Sequence, residues 1–587
     1  MNKYFLILFV SALVLSSCQN KKKIAKRFDN LLEQYYQDNL ELYMLNATYL
    51  GDNRYNDSLP NFLSKSFETK EQRFYSDYNR KLKRFDEDDL SPEQVLSKQI
   101  LQWEIDIQQE RLEFDKNLMP IDQMWSLHLE IGQLASGGAQ PLSTLDDYWN
   151  WYNRLDDFKE WLLSAKNKMK EGIERGIVLP KSLIKKVLPQ LESLSTNSSS
   201  ENIFLKAYGE RPEVIERKDW NEFGLEYYKL VIDELNPVIR DLHEFMSTEY
   251  YDAGRDSSGY NDLPGMEGYY DYAIKYYTTT SLSADEIHEL GLSEVSRIRG
   301  EMEGVMKLVD FDGTLVDFFE HVRTNEALKP FDHPNQVIQN FVAIHQKVLP
   351  NVESLFDKIP KTSVQVKRVE AFREKSAAAH YIPGTPDGER PGVFYVPIPD
   401  VENYNVYSDE SLYLHEAIPG HHFQISLQQE NPELPSFRKG ITWYSVYGEG
   451  WALYSESLGK ELGLFEDPYQ YFGMLSAEIH RAIRLVVDTG LHHKGWTREE
   501  AIAYCFENQA ESEEFITSEI ERYMANPGQA LSYKIGQLKI QELREKAEKT
   551  LGNVFDIREF HNKILESGNM PLTLLENKIE SWIGQKE

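Results

Sequence analysis

Tyr413-Leu414-His415-Glu416-Ala417-Ile418-Pro419-Gly420-His421-His422-Phe423-Gln424 is the stretch on which the reading of this chain turns. It sets a His-Glu pair against a second pair of histidines across a Pro-Gly step. On a regular helix, side chains four residues apart share a face and can converge on one ion. His415 and His421 are six residues apart, which places them about 240° from each other on a straight helix at ~100° per residue. His422 returns to the face of His415 but lies ~10.5 Å along the axis at ~1.5 Å per residue, a span that strains two metal–nitrogen bonds of ~2.1 Å. Pro419 lacks an N–H and disfavours a helical Ile418, whereas Gly420 tolerates dihedrals that other residues avoid. The spacing therefore predicts a local bulge at Pro419-Gly420 that absorbs two residues and turns His421 back towards His415, with His422 as the alternative.

Read this way, the stretch looks like the zinc-peptidase signature His-Glu-x-x-His lengthened by two residues. In that signature the histidines bind the metal and the glutamate activates a water. The competing reading is a helix bend flanked by surface histidines. A hydrolytic zinc site needs a third protein ligand and an open position. Glu449, in Tyr447-Gly448-Glu449-Gly450-Trp451, is the candidate, with glycines on both sides that allow close backbone approach. Glu456 follows seven residues later on the same face, placed to orient a ligand histidine. The neighbours Trp451, Leu453 and Tyr454 read as buried, which argues against an exposed acidic face.

Further along, Arg481, Asp488 and His492 fall within about 40° of one another on a helix, with Arg484 near that face. Ile483, Val486 and Val487 cover the other side, so this polar stripe is expected to face a polar cavity or an ion-pair partner. Asp488 and His492 are candidates for the neighbourhood of the site, His492 as a donor to a reaction oxyanion. Arg484–Asp488 as an i,i+4 pair and His492 as a helix cap are the simpler alternatives. Near the end, Pro527-Gly528 interrupts a helical pattern, and Tyr533 or Tyr523 could donate to a tetrahedral intermediate.

Composition bounds the rest. The 587 residues are 41% hydrophobic and 27% charged, an ordinary globular balance with length for a large core. A net charge of −31 argues against nucleic acid or an anionic membrane face as the main partner. Met1-Asn2-Lys3 and an apolar stretch from Tyr4 to Leu15, too short to span a bilayer, lead into Leu15-Ser16-Ser17-Cys18. That sequence resembles a bacterial lipobox, in which the cysteine is lipidated. The expectation is a signal peptide over 1–17, a lipidated tether over 18–25 anchored at Cys18, and one helical domain over 26–587. Gln19 is not the aspartate of inner-membrane retention, so the expected place is the cell envelope, on the outer membrane facing the periplasm. Membrane contact is expected through that anchor alone. Cys505, the only other cysteine, has no partner in the processed chain and reads as a buried small hydrophobe.

Apolar residues recur at helical spacing over Lys26–Leu45, Trp149–Met169, Trp220–Met246 and Ser283–Val309, and helix-start signals stand at Ser91 and Ser283. The strand-like exceptions are Ser363–Val369 and Gly392–Val396, with the turn-rich Pro383–Gly388 between them. The fold class is therefore mainly α, with a small sheet just before the His-Glu helix. The site belongs to a C-terminal half of about 362–587. An edge strand beside a metal can hold an extended peptide by backbone pairing.

In order and spacing, His415–Gln424, Glu449–Glu456, Arg481–Trp496, Arg522–Gln537 and Arg390-Pro391-Gly392 with Phe394-Tyr395 together resemble a large bacterial family catalogued as a domain of unknown function. That family is marked by His-Glu-x-x-Pro-Gly-His and grouped with the gluzincin metallopeptidases. The resemblance implies a helical fold similar to angiotensin-converting enzyme, thimet oligopeptidase and the thermostable carboxypeptidases, two helical halves enclosing a deep channel. It implies zinc held by His415, by His421 or His422, and by Glu449, with Glu416 as general base. Tyr533 or His492 would serve the oxyanion, Glu456 and Asp488 would hold the ligands, and Tyr395 and Arg484 would contact a short peptide substrate. A catalytically silent peptide-binding lipoprotein and a metal-dependent hydrolase of a non-peptide amide are the alternatives. The intact Glu416 weighs against the first.

Overall fold

Ser91 and Ser283 cap the helices that their sequences announce. Each hydroxyl accepts from the backbone N–H three residues on, and Gln94 and Glu286 reach back to complete the capping box. The periodic run Trp149–Met169 lies within the helix Leu145–Arg175, and Ser283–Val309 becomes Ala284–Leu308. In this computed structural model helix accounts for 67% of the chain, so the class is mainly α. Residues 3–370, 374, 377–385 and 387–587 are described, with side chains from residue 21 onward; the expected lipidation at Cys18 lies outside them. No helix among the described residues is long and apolar enough to cross a membrane.

The chain divides into two compact units, Met1–Tyr269 and Tyr270–Glu587. The first is built around the helix Leu145–Arg175, whose Trp151, Phe158 and Trp161 are buried. The Trp151 indole donates to the Tyr227 hydroxyl at 2.9 Å, so a buried polar tip is satisfied within the core. The second unit carries the sheet and every residue of the candidate site.

That sheet has three strands: β1 (Val364–Arg368), β2 (His380–Ile382) and β3 (Gly392–Val396). β3 is central; β1 pairs with it in parallel, Val364 opposite Gly392, and β2 pairs antiparallel, His380 opposite Tyr395. Both strand runs read from the sequence are strands, but they run parallel, and the strand between them was not anticipated. A three-residue strand is too short to show an alternation of period two. β3 buries Val393, Phe394 and Val396, as a central strand should, and Phe394 packs edge-on against Phe341 of the helix Pro334–Leu355 at 5.2 Å.

Behind the site, the helices Ser445–Ser457 and Ser532–Leu551 meet backbone to backbone. A Cβ on Gly450 would stand 2.4 Å from the Gly536 Cα, and one on Gly536 would stand 2.0 Å from the Val446 carbonyl oxygen. Neither neighbour can move aside as a flexible side chain could. Gly450→Ala is therefore expected to lower stability by about 1–3 kcal/mol, read as a fall in the thermal unfolding midpoint.

Candidate metal centre

The motif helix runs Asp409–Glu416 and presents His415 and Glu416 at its buried C-terminal end. Ala417 still donates to the Tyr413 carbonyl at 2.9 Å, but its own dihedrals (φ −110°, ψ −104°) leave the helix. A second helix, His421–Glu430, begins directly after Gly420. The expected bulge in one helix is thus a corner between two helices, with a cis Ile418–Pro419 bond in it. Gly420 is required here because a Cβ would lie 1.9 Å from the His415 carbonyl oxygen. The Trp451 indole donates to the Pro419 carbonyl at 2.8 Å and pins the corner to the helix that bears Glu449.

The corner brings His421 back beside His415, with ring centroids 4.8 Å apart and planes at 90°. Glu449 Oε2 lies 3.6 Å from His415 Nε2 and 3.4 Å from His421 Nε2. One ligand atom from each of the three residues lies within 4.8 Å of the others. These separations are long for charge-assisted hydrogen bonds. They are close to the edge of a tetrahedron whose arms are metal–ligand bonds of ~2.1 Å, roughly 3.4 Å. Two imidazoles and one carboxylate with a fourth position open is the donor set of a hydrolytic zinc site. Glu449 and His421 keep 18% and 12% of their side chains exposed, so the cluster is reachable from solvent.

His415 is held from behind. Its Nδ1 lies 2.8 Å from Glu456 Oε1, and the Ser411 hydroxyl donates to the other Glu456 oxygen. This fixes Nδ1 as the donor and leaves Nε2 as the ligand atom. Burial works against charge on His415, but the Glu449 and Glu456 carboxylates outweigh it and raise the imidazole to about 9. Burial likewise works against charge on Glu449, and the His421 and His415 rings overcome it and hold the carboxyl far below its usual range. The cluster is thus arranged around a positive charge, which a divalent cation would supply in place of protons. Burial raises Glu416 above the ordinary carboxylate range, against the pull of His421 and His415, and one of its buried oxygens has no hydrogen-bond partner.

His422 faces the other way. Its Nδ1 lies 3.0 Å from the Tyr381 hydroxyl on β2 and 3.4 Å from Ser426 Oγ. Burial pushes its pKa down to about 4, so it is a neutral packing residue near neutral pH. The geometry therefore groups His421, not His422, with His415 and Glu449.

The remaining sequence candidates divide. Tyr533 lies within electrostatic reach of Glu449, and burial together with that carboxylate raises its phenol, so it carries the proton it would donate. Arg484 lies 4.5 Å over the Tyr533 ring. Tyr395 stacks on His380 at 5.3 Å, and the charge of His380 is felt by Glu416. Asp488 instead accepts from the Tyr270 hydroxyl at 2.6 Å and the Gly528 N–H at 3.0 Å, and His492 Nε2 lies 3.0 Å from the Tyr523 carbonyl oxygen. Asp488 thus braces the Pro527-Gly528 turn and His492 the helix before it, and the contacts of Asp488 do not reach His415, His421 or Glu449. Trp451, Ser411 and His380 were not singled out for these roles. An indole N–H in a buried Gly-Glu-Gly-Trp run signals a need for an acceptor, whereas Ser411 and His380 carry no such local signal.

The family model described as "Bacterial protein of unknown function (DUF885)" matches residues 45–579. No curated protein matches. Among solved structures, the "putative lipoprotein from Colwellia psychrerythraea" is 27% identical with a TM-score of 0.86, covering 96% of this chain and all of that one. A "putative lipoprotein of unknown function from Shewanella oneidensis" is 18% identical with a TM-score of 0.76, covering 94% of this chain and 99% of that one, and shares the fold.

Two outcomes follow from the geometry. His415→Ala and His421→Ala are expected to abolish stoichiometric zinc binding, whereas His422→Ala retains it and Glu456→Gln weakens it about 10- to 100-fold; elemental analysis and competitive chelation give the comparison. Because metal-free His415 stays protonated up to about pH 9, zinc binding at pH 7 should release at least one proton and strengthen as pH rises towards 9. Calorimetry in buffers of different ionisation enthalpy measures that release.

Proposed function

The chain belongs to the DUF885 family of bacterial proteins, and we propose that it is a zinc-dependent hydrolase that cleaves short peptides. The observation that supports the proposal is Glu449 Oε2 at 3.6 Å from His415 Nε2 and 3.4 Å from His421 Nε2, near the edge length of a metal tetrahedron, with Glu416, one of whose buried oxygens has no partner, next to His415 in sequence. Its likeness to the gluzincin metallopeptidases is part of the same reading.

When bound, zinc would polarise the scissile carbonyl and acidify a water molecule. Glu416 takes a proton from the attacking water and passes it to the departing amine. Burial makes its carboxylate a stronger base than an exposed one. Tyr533, protonated and near Glu449, donates to the carbonyl oxygen as negative charge gathers there. Glu456, itself held by Ser411, keeps His415 in the tautomer and orientation that present Nε2. Cys18 in Leu15-Ser16-Ser17-Cys18 carries the lipid, and the protein works in the cell envelope, on the outer membrane facing the periplasm.

Glu416→Gln is expected to lower turnover of a peptide panel by about 10²–10⁴-fold while zinc content stays at one per chain. Full activity in that variant would remove Glu416 from its role. Binding of peptides by the wild-type protein with no cleavage would favour a capture protein, and cleavage confined to non-peptide amides would change the substrate class.

A further inference from the structure

Arg484 lies on the long helix Pro468–His492, buried among polar groups that do not exhaust it. Its Nε donates to the Tyr523 hydroxyl at 2.9 Å, and its Nη2 donates to Glu519 and to His480 Nε2, both at 3.0 Å. Its Nη1 is buried and has no partner. A guanidinium has five donors and no acceptor, so this nitrogen can be satisfied only by an acceptor brought to it. Buried donors on a cation are seldom left without an acceptor.

The nearby acid is also shared, with Glu511 and Asp488 the other carboxyl groups whose charge reaches this cluster. Arg522 binds the same Glu519 carboxylate through Nε and Nη2, each at 2.9 Å, so two guanidinium groups share one acid. His480 adds no negative charge: burial, with the charge of Arg484, holds it at about 4, and its neutral ring donates from Nδ1 to Gln509 while Nε2 accepts from Arg484. Asp488 on the same helix is engaged by Tyr270 and Gly528. The face of the Arg484 guanidinium is covered by the Tyr533 ring at 4.5 Å, and Tyr533 in turn lies within electrostatic reach of Glu449. An arginine with one unfilled donor therefore stacks on Tyr533, whose phenol senses the Glu449 carboxylate.

We infer that Arg484 Nη1 binds a carboxylate of the substrate, so that the site selects peptides carrying a carboxylate close to the bond to be cleaved. This rests on the hydrolase reading of the metal centre. The carboxylate has two possible sources, the peptide's own C-terminus and an acidic side chain, and the same chemistry recognises both.

Binding is best read on zinc-loaded Glu416→Gln protein, in which the slow chemistry leaves peptides intact. The probes are a short Glu-containing peptide with a free C-terminus, its C-terminal amide, and the version with Gln in place of Glu. Removing the recognised carboxylate should weaken binding at least about tenfold. A loss confined to the amide assigns the C-terminus, and a loss confined to the Gln peptide assigns the side chain. Adding Arg484→Gln should erase the difference between the probe that carries the recognised carboxylate and the one that lacks it. Arg484→Lys, which keeps the charge but not the fork, should retain part of it. Zinc content and thermal unfolding accompany each variant; should Arg484→Gln not fold, a reduced preference in Arg484→Lys carries the inference and an unreduced one sinks it. Equal binding of all probes, or an undiminished preference in folded Arg484→Gln, overturns it. Carboxylate-dependent binding without cleavage by the wild-type protein would count against the hydrolase reading and leave the subsite standing; cleavage indifferent to the carboxylate would do the reverse.

Discussion

The hydrogen bond from the Trp451 indole to the Pro419 carbonyl is the contact on which the site depends. Two histidines six residues apart cannot serve one ion on a continuous helix. The chain solves this by ending one helix at Glu416 and starting another at His421, with a glycine at the one position where a Cβ would strike the preceding backbone. A corner of this kind needs an external hold. Trp451 provides it from the helix that also carries Glu449, so the element that fixes the bend supplies the third candidate ligand. Orientation of the two histidines and delivery of the carboxylate are therefore one packing event.

Behind that helix, Gly450 and Gly536 let two backbones touch, which sets Glu449 and Tyr533 on neighbouring elements. Two clusters of charged groups meet at Tyr533. On one side, Glu449, Glu456 and Glu416 gather negative charge against His415 and His421. On the other, Arg484 and Arg522 share Glu519. The Tyr533 ring adjoins both.

Local rules found much of this. The helical runs Trp149–Met169 and Ser283–Val309, the serine caps and both long strands stand where the sequence puts them, whereas Lys26–Leu45 breaks at Tyr43 and Trp220–Met246 is interrupted by a π-helical turn at Leu230–Leu235. The parallel pairing of β1 with β3, and the short β2, did not emerge. Pairing direction depends on a crossover, and three residues carry no period. Asp488 and His492 share the helix face with Arg484 as read, yet Asp488 is taken up by Tyr270 and Gly528 and His492 reaches the Tyr523 carbonyl. A helical wheel gives the direction of a side chain but not the partner that waits there.

By itself the sequence determined the chemistry on offer: three candidate histidines, a glutamate beside the first, a second glutamate between glycines, and a Pro-Gly step that no regular helix could carry. Only the tertiary structure decided which histidine turns inward. His421 and His422 are adjacent and chemically identical, so nothing local distinguishes them. The choice is made by a tryptophan that grips the corner from another helix and by Tyr381 on β2, which holds His422 on the far side.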